Sequence, residues 1–98
     1  MNADRALLVT LEAKPGKGDE LAAFLARAQP MAVAEEQTVS WVAFRISDTT
    51  FGIFDTFADE EGRQAHIEGA IAAAMVAEGP DLFAKRPDVQ RPLIVAMK

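Results

Sequence analysis

Cysteine and tyrosine are both absent from the 98 residues, and the chain has a single tryptophan and a single histidine. Without cysteine there is no disulfide framework, no thiolate nucleophile and no cysteine-ligated metal or iron–sulfur centre. Positive charge is also scarce: ten Lys and Arg face fifteen Asp and Glu, a formal net charge of −5. That balance repels phosphate backbones and anionic lipid heads, and no basic cluster overrides it, so neither nucleic acid nor a membrane is an expected partner. The apolar stretch Ile67 to Ala77 is too short to cross a bilayer, with Glu68 and Glu78 in or beside it. Met1 to Thr10 lacks a cationic segment followed by an apolar run and a cleavage site, so it does not read as a signal peptide, and the cytoplasm is the expected location. Gly16-Lys17-Gly18 does not form a phosphate-binding pattern and no nucleophile elbow is present, so no flavin, nicotinamide or other cofactor is expected.

Half of the residues are apolar and 26% are charged, a globular composition. The length suits one domain over residues 1–98. Leu7 to Ala13 alternates as a strand and stops at Pro15-Gly16. Asp19 is placed to cap a helix whose Leu21, Phe24, Leu25 and Ala28 form one stripe. Pro30 either ends that helix near Gln29 or kinks it; Met31 and Ala32 prolong the stripe and favour a kinked helix running on to Glu35. Thr38 to Ser47 and Thr50 to Phe57 read as a hairpin about Asp48-Thr49. Asp59 caps a second helix, with Glu60 and Glu61 in its first turn and Ile67, Ile71, Ala74 and Met75 as its stripe; Gly69 weakens it and Gly79-Pro80 ends it. A turn over Asp81 to Lys85 leads to a last strand, Val89 to Met97, in which Pro92 implies an edge position.

This order, β-α-β-β-α-β, specifies an α+β ferredoxin-like sandwich: a four-stranded antiparallel sheet with both helices on one face. The hairpin is apolar on both parities, with Val42, Phe44 and Ile46 against Trp41 and Ala43, and Phe51, Ile53 and Phe57 against Phe54. Two helices cover one face only. The other is expected to meet a second subunit's sheet, or a ligand held between two sheets, which makes a homodimer the expected assembly.

The run Leu11 to Gly16, the strands Trp41-Val-Ala-Phe-Arg45 and Ile53-Phe-Asp-Thr-Phe57, and Arg63-Gln-Ala-His66 resemble the antibiotic-biosynthesis-monooxygenase superfamily, over roughly Leu7 to Met97. The resemblance implies a dimeric α/β barrel, two ferredoxin-like sheets packed face to face around pockets. Some members oxidise phenols, quinols or polyketide anthrones with molecular oxygen and neither metal nor flavin. Asp55 then stands at the family's acidic position, usually Glu, on the third strand, and His66 at its histidine on the second helix. Where many members carry a second histidine this chain has Ile71. The first strand lacks the asparagine of the haem-degrading branch, and Met75 and Val76 occupy the region of that branch's histidine, which speaks against haem degradation.

Each candidate residue has two readings. His66 is either a base that ionises a phenolic hydroxyl or a histidine hydrogen-bonded between helix and sheet. Asp55, among apolar neighbours on its parity, must be paired; it orients His66 or accepts bonds from a helix or loop. Arg45 shares a face with Asp55 if the hairpin holds a bulge or a three-residue loop, and not if its turn has two residues. It either stabilises a bound anion or makes a salt bridge at the dimer rim. Trp41, Phe44, Phe54 and Phe57 line a pocket for a planar aromatic substrate or fill the core. Asp59 and Arg63 form an i, i+4 pair on a solvated helix face. The expected function is cofactor-independent oxidation of a small phenolic, quinol or polyketide-like aromatic by O2, with His66 and Asp55 as catalytic pair. The alternative is a non-catalytic dimeric module for a small hydrophobic metabolite, favoured by the missing second histidine and by the lack of tyrosine.

Overall fold

The structure is a computed structural model that describes residues 3–98; Met1 and Asn2, part of the N-terminal reading above, lie outside the described residues. The elements are β1 (Arg5–Glu12), α1 (Gly18–Ala34), β2 (Thr38–Arg45), β3 (Thr50–Phe57), α2 (Glu60–Ile67), α3 (Ala70–Leu82) and β4 (Asp88–Gln90). All strand pairs are antiparallel and their order is β2-β3-β1-β4. This is the ferredoxin-like sandwich, with its second helix divided in two.

Strand β1 pairs with β3 over its whole length, from Arg5 opposite Phe57 to Glu12 opposite Thr50. Side chains alternate across the pleat. Leu7, Leu11, Phe51, Ile53 and Phe57 consequently share one face, and all are buried. Helix α1 lays Leu21, Phe24, Leu25, Ala28 and Ala32 against that face. Each such large side chain contributes about 1.5–3 kcal/mol on leaving water. The opposite face presents Val42, Phe44 and Phe54, all exposed in the single chain. Gly52 is required there: it pairs with Phe44, whose ring lies where a Cβ would stand.

Several boundaries differ from the sequence expectation. Strand β1 starts two residues earlier, at Arg5, and Ala13 makes only an isolated bridge to Phe83. Asp19 is not the cap of α1: Lys17 holds that position and Asp19 lies in the first turn, after Gly16 has turned the chain at φ +78°. Helix α1 does run through Pro30, to Ala34. Asp59 caps α2 as expected, accepting from the Gly62 amide at 2.8 Å. The second helix, however, breaks at Glu68-Gly69, and the Gly69 amide bonds back to His66. Gly79-Pro80 does not end α3, which reaches Leu82. Two contacts secure that last turn: the Phe83 ring packs on Gly79, and Lys14 donates through its amide to the Leu82 carbonyl and through Nζ to the Pro80 carbonyl. The last strand is far shorter than Val89 to Met97. Its ladder stops at Gln90, because Pro92 has no amide to donate and its carbonyl turns to the Ala6 amide. Pro92 does lie beside an edge strand, as expected.

Candidate functional site

The hairpin register decides which side chains can act together. Trp41 faces Asp55, Ala43 faces Ile53 and Arg45 faces Phe51, so the loop is Ser47-Asp48-Thr49, with Ile46 donating to the Thr50 carbonyl. This three-residue connection puts Trp41, Arg45 and Asp55 on one sheet face, the helix side. An irregularity between Thr38 and Ser40 keeps Thr38 on that face too, opposite Phe57.

His66 enters this layer from the last turn of α2. Its Nδ1 lies 2.6 Å from Glu35 Oε1, and its Nε2 lies 2.7 Å from Asp55 Oδ2. The Phe57 ring covers one side at 5.2 Å between centroids. Asp55 is 1% exposed. Its Oδ2 lies within ion-pair distance of Nε2, and no other donor meets either carboxylate oxygen among the described residues. Glu35 is better served, since Oε1 also accepts from the Thr38 hydroxyl at 2.7 Å. Burial alone would push the imidazole pKa down; bonding and charge attraction from Asp55 and Glu35 outweigh it, and the net shift is upward from 6.5. The triad therefore favours an imidazolium with both nitrogens turned to carboxylates. It joins the end of α1, the end of α2 and the middle of β3.

Two pockets follow one another between α1 and β2, and a third lies beyond them, between the α1–β2 connection and α2. The first, about 430 Å³, is lined by Leu25, Ala26 and Gln29 of α1 and by Trp41, Ala43, Phe44, Arg45 and Phe51 of the hairpin. The second, about 240 Å³, shares Gln29 and Trp41 with it and ends at Thr38. The third, about 330 Å³, begins at Thr38 and contains Glu35, Glu36 and His66. Trp41 Nε1 is buried and has no acceptor among the described residues. Arg45 closes the far end: Nη1 meets Asp19 Oδ1 at 3.1 Å, Nη2 and Nε donate to the Asp48 and Ser47 carbonyls, and the guanidinium lies 5.1 Å from the Phe51 ring centroid. Three of its five N–H groups are thus engaged within the chain, which leaves two for a ligand.

Of the sequence candidates, Trp41, Phe44 and Arg45 come together in the first pocket. His66 and Asp55 form a separate pair behind Trp41. Phe57 is fully buried against His66 and lines none of the three pockets; Phe54 sits on the open sheet face. The Arg45 ion pair is made within the chain, to α1. Arg63 is not a solvated partner of Asp59: it is 7% exposed, donates to the Ala6 and Pro92 carbonyls at 3.1 and 3.3 Å and pairs with Glu60. Glu35 was outside the sequence candidates. Its signal was electrostatic, since Glu35 and Glu36 stand where a helix C-terminus disfavours negative charge and an unseen partner is therefore implied. No group of three or more His, Asp or Glu side chains is arranged to hold a metal ion among the described residues, and none of the described helices is long and apolar enough to span a membrane.

No family model and no curated protein matches the chain. Solved structures do. A protein provisionally named an antibiotic biosynthesis monooxygenase, from Nitrosomonas europaea, superimposes with a TM-score of 0.85 at 13% identity, covering 94% of this chain and 99% of that one. Another provisionally so named, from Chloroflexus aurantiacus, gives 0.75 at 20% identity, covering 96% and 95%. The fold is thus shared with proteins of the antibiotic-biosynthesis-monooxygenase type. NE2512, a protein of unknown function from Nitrosomonas europaea, is 47% identical over 99% of this chain and 94% of its own, with a TM-score of 0.97. The chain belongs to the family of that protein.

Proposed function

We propose that this domain binds a small planar aromatic molecule carrying a hydroxyl or acid group in the pocket formed by Leu25, Gln29, Trp41, Phe44, Arg45 and Phe51, and that it does so as a homodimer joined through the open sheet face. The observation that carries this reading is the division of labour between the pocket at the α1–β2 edge and the triad behind it. The apolar pocket holds an indole and a guanidinium with spare donors, whereas His66 has both nitrogens committed to Glu35 and Asp55. A flat ring stacks on the aromatic wall, and an oxyanion takes the free Arg45 N–H groups. The exposed Val42, Phe44 and Phe54 supply an apolar surface for a second sheet.

Trp41 is the only tryptophan and there is no tyrosine, so intrinsic fluorescence reports this pocket alone. Titration with hydroxynaphthoates and naphthols should change its emission saturably. Arg45→Gln should weaken the acid-bearing ligands by at least about tenfold, the lower end for one charge-assisted bond of about 1.5–3 kcal/mol, and the neutral ones less. A flat response over the whole panel would overturn the reading.

A second reading, oxidation of the bound aromatic by O2, is favoured by the provisional names of the two fold neighbours and by the dry aromatic wall. Here Arg45 lowers the cost of ionising the phenol, and the electron-rich anion reduces O2. For an anthrone the CH2 carbon becomes a carbonyl; one oxygen atom is retained there and the other leaves as water with both hydrogens. An oxygen electrode separates the two readings: uptake that Arg45→Gln abolishes supports oxidation, and no uptake above autoxidation leaves binding alone.

A further inference from the structure

Among the described residues, Arg45 is the one charged side chain that lines the first pocket. Its guanidinium is held from several directions at once. Nε and Nη2 donate to the Ser47 and Asp48 carbonyls of its own hairpin loop at 3.2 and 2.9 Å, and the Phe51 ring packs against it. Helix α1 starts against the same loop. A Cβ at Gly18 would stand 2.0 Å from the Asp48 carbonyl oxygen and 2.8 Å from Arg45 Nη2, so only glycine allows this approach. It brings the first turn of α1 onto the guanidinium. Asp19 follows directly, and its Oδ1 takes Nη1 at 3.1 Å.

These contacts differ in what they contribute. The two carbonyls belong to the main chain and Phe51 is buried, so they fix where the guanidinium points. Asp19 is 96% exposed and does not line the pocket. An exposed ion pair of this kind adds little stability. What it changes is charge. With Asp19 beside it, Arg45 offers the pocket N–H groups from a pair that is neutral as a whole. Glu20 is answered by Lys17, and Asp48 adds one more negative charge in the loop. A hydroxyl oxygen accepts an Arg45 N–H without bringing a charge of its own. A carboxylate gains from Arg45 and loses to Asp19 across the same guanidinium, in a chain already at −5.

We infer that Asp19 sets the ligand class of this pocket: by offsetting the Arg45 charge it makes the pocket select a neutral hydroxyaryl ligand over the matching aryl carboxylate. Asp19 acts through Arg45 and does not touch the ligand. This rests on the binding reading above and adds to it which polar group, hydroxyl or acid, the ligand carries.

Two roles for Asp19 differ in sign. If it were needed to aim Arg45, Asp19→Asn would weaken every ligand that Arg45 holds. As an offsetting charge, its removal strengthens anions and leaves neutral ligands alone. A naphthol and the naphthoate of the same ring position are titrated at neutral pH into full-length wild type and Asp19→Asn, followed by the emission of Trp41, the single tryptophan. Wild type should bind the naphthol more tightly. Asp19→Asn should tighten the naphthoate about two- to fourfold, the scale of a unit charge about 5–6 Å away in watery surroundings at low salt, and leave the naphthol little changed. Raising salt from about 0.1 to about 1 M shortens the screening length from about 10 to about 3 Å and should remove most of that gain. The NMR signal of Arg45 Nε–H, bonded to the Ser47 carbonyl, should stay near its wild-type position in the variant, because the loop holds the guanidinium without Asp19. A naphthoate affinity unchanged or lowered in Asp19→Asn, or a wild type that prefers the naphthoate, would overturn this inference alone. A wild type that responds to neither ligand would overturn the binding reading and this inference with it.

Discussion

Replacing His66 with alanine tests the physical role of the triad most directly. Asp55 is 1% exposed, and among the described residues the one cationic group in contact with it is the His66 imidazole, at 2.7 Å. Removing the ring leaves a desolvated carboxylate with no counter-charge, a change that costs about 3–5 kcal/mol in comparable buried pairs. The Glu35 side adds little, because Thr38 still donates to that partly exposed carboxylate. A domain of this size has roughly 5–15 kcal/mol in total, so a large share of it is at stake. At about 4–8 °C per kcal/mol, the melting temperature should fall by at least about 12 °C, read by calorimetry at fixed protomer concentration. The double variant His66→Leu/Asp55→Leu buries no charge and should recover most of the loss. A single variant within about 1 kcal/mol of wild type, or a double variant as damaged as the sum of the two singles, would refute the argument.

The same pair sets a pH dependence of definite sign. Desolvation lowers the His66 pKa, the two carboxylates raise it by more, and the folded protein holds the proton more tightly than the unfolded chain. The stabilisation is fully present below about 6.5, the ordinary value, and is lost as pH rises through the higher folded value. The gap between wild type and His66→Ala should therefore narrow from neutral to alkaline pH. With one histidine in the chain, the imidazole carbon-bound protons give a single NMR titration whose midpoint should lie above 6.5; a midpoint at or below it refutes the assignment.

Three further outcomes follow from packing and geometry. Phe57→Ala removes a fully buried ring that packs on His66 and should cost about 3–5 kcal/mol in urea unfolding. Asp59→Ala removes the bond to the Gly62 amide and should cost about 1 kcal/mol, with the loss of protection in hydrogen exchange concentrated in α2. Gly52→Val pushes the Phe44 ring from its place, so aromatic-ligand binding and dimerisation should both weaken while the helix-side core keeps its buried residues.

The element order was legible because the apolar residues repeat with helical or strand period and the breakers stand between them. The site was less so. Whether Arg45 and Asp55 share a face depends on one residue in the hairpin loop, and Asp48-Thr49 does not reveal that Ser47 belongs to the turn. Pairing register is set jointly by both strands' buried faces and by the turn, so a local reading could state the alternatives without choosing. Gly79-Pro80 looked like a helix end because such pairs usually are; tertiary contacts from Lys14 and Phe83, distant or not yet placed in sequence, carried the helix onward. The last strand failed for the opposite reason. Val89 to Met97 has a strand's composition, but a strand needs a neighbour, and the local pattern carries no information on where β1 begins.

His66 was legible as the one residue able to titrate near neutrality, and its pairing with Asp55 as a consequence of a carboxylate placed among apolar neighbours. Glu35 changes what the pair does. With a carboxylate on one nitrogen only, the imidazole would retain the geometry of an oriented base. With carboxylates at both, the protonated form is favoured, and in that form the ring ties three elements together by charge. In the proposed reading, ligand recognition falls to Arg45, whose guanidinium keeps unused N–H groups next to an apolar pocket. On the proposed reading, a reaction in this domain begins from an anion held by Arg45, and the base reading of His66 is the one that its removal tests.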